Sequence, residues 1–144
     1  MYKAAVRWQV RRAVRLLNAG NPAAQIKAYA ADAKLVFPGV SSWSGEYKGR
    51  EAIAEFMRFV AAEHLQFGVE DILVNGPPWQ ARACVICTVT AADRAGKTVY
   101  SNRGALYVKA RWGKIVFQED FEDTHESERF DAYVTARDAA PNQD

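Results

Sequence analysis

The chain has 144 residues and a net charge of +2, which excludes the strong basic excess of a dedicated nucleic-acid binder. Its length fits one domain over residues 1–144. A composition that is 49% hydrophobic supplies a core without metals or disulfides, and roughly 68–70% of the unfolded surface can be buried at this size.

Residues 2–19 carry Val6, Val10, Ala13, Val14 and Leu17 at helical spacing, with the arginines mostly on the opposite side. This Arg-rich, acid-free start has the composition of a transit peptide. Its apolar pattern runs straight into the following elements, however, and no small-residue cleavage pattern follows. No apolar run reaches the ~18 residues of a membrane span, and no secretory segment is apparent. The expectation is a cytoplasmic protein with neither a membrane nor a nucleic-acid partner.

Gly20 and Asn21 end the first helix. Asn21 then caps a short second helix, with Pro22 in its first position, from which Ile26 and Tyr29 face inward. A short strand at 34–37 stops at Pro38-Gly39. Asp32, just before it, is expected to cap a turn or a helix end. Residues 41–48 turn at Gly45, with Trp43 and Tyr47 as aromatic anchors. A third helix runs from Gly49 to about His64, with Ile53, Phe56, Met57 and Val60 on its inner stripe.

Three longer strands and a fourth follow in meander order. The first spans 67–75 and ends at Gly76-Pro77-Pro78. The second spans 80–91, with a turn at 93–96. The last two fill 97–124 around a tight turn at Trp112-Gly113. Phe130, Tyr133 and Val134 then return to helical spacing, and residues 140–144 form a frayed tail. The order predicts an α+β fold: helices on one face of a strongly curved antiparallel sheet that encloses a pocket.

Charge is unevenly distributed. Residues 1–31 hold six basic residues and no acid, while 117–144 hold nine acids and two arginines. The pattern reads as two solvated faces of opposite sign. Were they adjacent, their attraction would weaken with salt. Cys84 and Cys87 are spaced C-x-x-C, but in a strand these positions point to opposite faces. They read as reduced thiols rather than a redox pair or half a zinc site. No metal and no cofactor are expected.

The element order, with LLNAGNP, YAADAKLVFPG, SGEYKGREAIAEF, VNGPPW, NRGALYV and RWGKIVFQEDFEDT, resembles the nuclear transport factor 2-like superfamily. More closely it resembles the SnoaL-like, ketosteroid-isomerase-related branch, from about Ala5 to Tyr133. The resemblance implies a cone in which helices close over the sheet around a mostly apolar pocket. It also implies homodimers through the outer sheet face. Fold alone does not assign the reaction. The steroid isomerases' general base falls near Phe37, their oxyanion-hole tyrosine near Ala13 and their oxyanion-hole acid near Gly104 or Ala105. The Arg-x-Asp pair of limonene-epoxide-hydrolase-like members falls on 87–89 and is missing, while their remaining acid matches Asp120. The polyketide-cyclase histidine falls near Leu106, and the acid of those enzymes at the strand end matches Asp123.

Strand alternation separates the acids of QEDFED. Ile115, Phe117, Glu119, Phe121 and Asp123 share one face, and Val116, Gln118, Asp120 and Glu122 the other. Apolarity alone sends the first set to the core. The resemblance implies the reverse: Gln118, Asp120 and Glu122 line the pocket, and Phe117 and Phe121 lie outside, covered in a dimer. By the same register Asn102, Gly104, Leu106 and Val108 line the pocket. The proposed machinery is Asp120 as acid/base, with Glu122 and Asn102 in support. A pairing of Asp120 with Arg82 or an N-terminal arginine is the alternative. The proposed ligand contacts are Gln118, Phe56, Met57, Val85, Cys87 and Leu106, with Trp8, Trp43 and Trp79 at the rim. An acid in an apolar pocket has its ionised form destabilised, so its pKa rises toward the range useful for proton transfer. The expected function is a cofactor-free isomerase, lyase or hydrolase acting on an apolar ring- or carbonyl-containing compound. The alternatives are a non-catalytic carrier of an apolar ligand and a dimeric accessory subunit.

Overall fold

Six strands form one sheet in the order β2-β1-β6-β5-β4-β3. The computed structural model describes residues 1–141. Its elements are α1 (Tyr2–Asn18), α2 (Ala23–Ala28), β1 (Tyr29–Phe37), β2 (Gly45–Lys48), α3 (Arg50–Ala62), β3 (Gln66–Asn75), β4 (Ala81–Ala92), β5 (Thr98–Arg111), β6 (Lys114–Glu122) and α4 (Thr124–Ala139), with a 3₁₀ turn at Pro78–Gln80. The expected α+β fold with a curved, unclosed sheet is present. Of the expected frayed tail, residues 142–144 lie outside the described residues.

The sheet's organising hairpin is β5–β6. Trp112 and Gly113 both have positive φ, 50° and 80°, the signature of a two-residue turn whose twist matches the flanking strands. The turn fixes the register Arg111↔Lys114, and a bulge between Lys109 and Ala110 shifts it before Leu106↔Asp120 and Gly104↔Glu122. Gly104 is required at its position: a Cβ there would sit 2.6 Å from the Phe121 carbonyl oxygen. Further bulges interrupt β3–β4 and β4–β5, and each adds local twist and bend.

One pairing was not visible from the sequence. β1 runs parallel to β6, with Leu35 opposite Gln118, and so joins the β1–β2 hairpin to the meander. β1 is also longer than expected. It begins at Tyr29 and contains Asp32, which is exposed on the strand and caps neither a turn nor a helix.

The helices pack on one face. α3 buries Ile53, Phe56, Met57 and Val60 over β1 and β2, each side chain contributing roughly 1.5–3 kcal/mol. α1 lies on β3, where Asn18 acts as an extra strand edge: its Nδ2 donates to the Phe67 carbonyl and its Oδ1 accepts from the Phe67 N–H, both at 2.9 Å. α2 starts one residue later than expected, with Pro22 rather than Asn21 at its N-cap position; Asn21 Oδ1 still accepts from the Ala23 N–H at 3.1 Å. The basic N-terminus and acidic C-terminus do not pair. Among the described residues no α1 arginine forms an ion pair. Arg7 Nε instead donates to the Ile72 carbonyl at 3.0 Å, while Arg137 of α4 binds Glu63 at 2.8 Å. Cys84 and Cys87 are both free thiols, half-buried and buried respectively. Among the described residues, no helix is long and apolar enough to cross a membrane.

Candidate functional site

Between the helices and the concave face of the sheet lies a cavity with about 80 Å³ of space in which the centre of a water molecule fits. Its walls include seven aromatic residues: Phe37, Trp43, Phe56, Phe59, Phe67, Tyr100 and Phe130. The polar lining comes from Gln25, Cys87, Tyr100, Gln118, Asp120 and Glu122; no Lys, Arg or His is among the lining residues.

β6 aims Gln118, Asp120 and Glu122 at this space. Gln118 is 3% and Asp120 7% exposed, whereas Phe121 between the acids is 52% exposed on the opposite face. A relay holds Asp120. The Tyr29 hydroxyl donates to Gln118 Oε1 at 2.5 Å, and Gln118 Nε2 donates to Asp120 Oδ1 at 2.8 Å. Asp120 Oδ2 takes no hydrogen bond among the described residues. Among the described residues no buried side-chain oxygen or nitrogen lacks a partner, so this oxygen opens to the cavity that Asp120 lines. Neither Arg82 nor an N-terminal arginine pairs with Asp120, as the alternative required. Burial, reinforced by the charges of Glu122 and Glu119 and opposed by the Gln118 hydrogen bond, pushes the Asp120 carboxyl up to about 7.

Glu122 is built the same way from the other side. Its Oε1 accepts from Ser127 Oγ at 2.8 Å and more distantly from the Tyr100 hydroxyl at 3.4 Å. Its Oε2 has no partner among the described residues. Burial raises its pKa, with Asp123 adding to the rise and the Ser127 and Tyr100 hydrogen bonds opposing it. The Tyr100 hydroxyl is pushed up to about 12, by burial and then by the Glu122 charge. Burial, with Asp120 the largest of its charged neighbours, pushes the Cys87 thiol up to about 11. Tyr29 is raised far above the ordinary range, first by burial and then by Asp120. All three remain neutral at pH 7. Among the described residues no His, Cys, Asp or Glu cluster has a metal-binding arrangement.

Of the residues singled out from sequence, Asp120, Glu122, Gln118, Phe56, Met57, Cys87, Leu106 and Trp43 line the cavity. Trp43 is a buried wall rather than rim, packed on Phe59 and Phe130 at ring-centroid distances of 5.1 and 5.8 Å. Four residues are elsewhere. Asn102 is buried but committed: its Nδ2 donates to the Tyr100 hydroxyl at 3.0 Å and to the Asp123 carbonyl at 2.9 Å. It ties β5 to the start of α4 and lies outside the cavity lining. Val85 faces inward but packs with Ile72 and Val74 beneath Val6 and Val10 of α1, away from the cavity. Trp8 is 59% exposed on α1. Trp79 is 55% exposed and packs on Trp112 at 5.8 Å, outside the cavity lining. Asp123 caps α4, accepting from the His125 N–H at 3.0 Å. Sequence reasoning missed Gln25, Tyr100 and Ser127, and it noted Tyr29 only as inward. No short-range pattern connects these residues to β6.

A family model for the SnoaL-like domain matches residues 10–118. The chain belongs to this family. Asp120 and Glu122 lie just beyond the part of the SnoaL-like domain that the model matches. Solved structures agree on the fold. The SnoaL-like domain is 21% identical to Bal32a from a soil-derived mobile gene cassette, with a TM-score of 0.72 over 86% of this chain and 94% of that one. It is 19% identical to an NTF2-like protein of unknown function from Burkholderia pseudomallei, with a TM-score of 0.70 over 86% and 95%. It is 18% identical to TerC, co-crystallised with polyporic acid, with a TM-score of 0.70 over 86% and 95%. No curated protein matches this chain.

Proposed function

We propose that the cavity takes a small apolar molecule and that Asp120 moves a proton on it without a cofactor. The reaction class is isomerase, lyase or hydrolase, on a ring- or carbonyl-bearing compound. One observation carries this reading: a nearly buried carboxyl, titrating near 7, presents one free oxygen to an aromatic-walled cavity. Oδ2 is the atom that takes and returns the proton. The Tyr29–Gln118 relay holds Oδ1, so the carboxyl does not rotate during transfer. A group titrating near the working pH is present in both protonation states, as acid/base catalysis needs. The co-crystal of TerC with polyporic acid supports an organic molecule as the kind of ligand this fold takes.

A second reading is a carrier that binds without chemistry. It is favoured by the residues near which the family resemblance puts the steroid isomerases' catalytic groups: Phe37, Ala13, and Gly104 or Ala105, none of which can move a proton. Either reading suits a homodimer through the outer sheet face. There Phe121 is half-exposed, and the rings of Phe117 and Tyr107 lie under the Lys109 ammonium; a second copy docked on this face would cover the Phe121 ring.

The test is proton–deuterium exchange followed by NMR, with a panel of cyclic ketones and enones in heavy water. The wild-type chain should accelerate exchange beside a carbonyl, and Asp120→Asn should abolish the acceleration while retaining binding. Full exchange activity in Asp120→Asn would remove Asp120 from the mechanism. Binding with no exchange by either protein selects the carrier.

A further inference from the structure

Two carboxylates face the cavity and no basic side chain does. Each carboxylate is held at one oxygen only, and by neutral donors: Asp120 by Gln118, Glu122 by Ser127 and Tyr100. Among the described residues the second oxygen of each has no partner. A buried carboxylate calls for a cation or a set of donors, and this site supplies neutral donors to one half of each. The remaining wall is mostly aromatic, and ring faces attract cations.

We propose that the molecule this cavity takes carries a protonated amine on a compact apolar body. The inference rests on the reading that the cavity is a small-molecule site. An ammonium offers three donors and no acceptor, matching oxygens that only accept when ionised. Inward neighbours on one strand lie roughly 7 Å apart, so an ammonium seated between Asp120 and Glu122 reaches both. A carboxylate or phosphate ligand would meet two like charges and no cation. A neutral ligand would leave the acids' charge uncompensated. The aromatic rings, Phe56 and Phe130 among them, would enclose the apolar body. The available space, about 80 Å³ for water-sized centres, limits that body to about one ring.

The cation and the Asp120 proton then compete. The groups facing Asp120 are Glu122 and, with an outward side chain, Glu119 from its own strand, Tyr29 from β1 and Cys87 from β4. Tyr100 of β5 and Ser127 of α4 face Glu122, and α2 contributes only the neutral Gln25. Between pH 6 and 8 Asp120, titrating near 7, changes charge, while Tyr29, Tyr100 and Cys87 stay neutral. Amine binding therefore releases a proton and strengthens as pH rises.

Isothermal titration of the full chain with three one-ring probes tests this: benzylamine, benzyl alcohol and benzoate, at pH 6 and pH 8. A primary amine stays protonated over this range. Benzylamine should bind at least about tenfold tighter than benzyl alcohol at pH 8, and benzoate should not bind. From pH 6 to pH 8 benzylamine affinity should rise about tenfold, as a group titrating near 7 goes from about one-tenth to nine-tenths ionised. Benzyl alcohol should not respond to pH. Glu122→Gln should reduce the preference for benzylamine and keep the pH step; Asp120→Asn should remove the step. Glu119→Gln, on the outer face, should leave the preference for benzylamine in place and move the pH step only slightly, since its charge is the smallest contribution to the Asp120 rise.

If benzyl alcohol matches or exceeds benzylamine at pH 8, the amine inference is wrong and the cavity reading survives. If none of the probes binds, both fail. Loss of benzylamine binding in Glu119→Gln would place the amine on the outer surface and overturn the inference. Should Asp120→Asn fail to fold by circular dichroism, the wild-type pH step and Glu122→Gln decide alone.

Discussion

Replacing Asp120 by asparagine should stabilise the protein at neutral pH and flatten its pH dependence. The folded carboxyl titrates near 7 against an ordinary value of 3.8, chiefly because it is buried. The raised value means that the folded state holds the proton more tightly than the unfolded chain does. Stability is therefore fully present below about pH 4, falls as pH rises, and levels off above about pH 7. A shift of about 3 units corresponds to about 4 kcal/mol at 1.36 kcal/mol per unit. Between pH 5 and pH 8 the part that is lost is about 2.6 kcal/mol. The asparagine side chain has no charge to bury and keeps an oxygen for Gln118 Nε2, so the variant escapes this loss. Urea denaturation of both proteins at pH 5, 6, 7 and 8 measures it. The difference between the two curves isolates Asp120 from Glu122, which titrates in the same direction. Curves that stay parallel within about 0.5 kcal/mol would show that Asp120 ionises in the fold as easily as in water, and the acid/base assignment would lose its physical basis.

Three further outcomes follow from the same geometry. Tyr29→Phe removes the donor to Gln118 Oε1 and leaves that buried oxygen unpaired, at a cost of about 1–3 kcal/mol; thermal melting measures the loss, and NMR titration should show the Asp120 midpoint moving. Gly104→Ala forces a methyl against the Phe121 carbonyl and should cost about 1–3 kcal/mol; an unchanged melting temperature would mean β5 and β6 separate easily. Light scattering should give twice the 16.1 kDa chain mass at micromolar concentration, and Phe121→Glu should halve it; a wild-type monomer would refute the outer-face interface.

Much of the fold was legible because its signals are local. The Ile53–Phe56–Met57–Val60 stripe has helical period, Trp112-Gly113 has the chemistry of a hairpin turn, and alternation in QEDFED sorts acids by face. Apolarity alone chose the wrong face of β6. Family resemblance chose the right one, because Phe121 lies on the half-exposed outer face while Gln118 and Asp120 are buried within. Alternation also sent Val85 and Asn102 inward correctly, yet it could not say what each would meet there.

That second question belongs to the tertiary structure. Facing is set by a two-residue period, whereas neighbours are set by strand register and by which helix lies above. Val85 falls beneath α1, and Asn102 falls at the start of α4. The parallel β1–β6 pairing brings Tyr29 to Gln118, 89 residues away, and the packing of α4 brings Ser127 to Glu122. Local residue patterns thus sufficed to mark Asp120 as an acid on a strand. The non-local pairing of β1 with β6, and the helices packed over them, bury it, hold one of its oxygens and leave the other open.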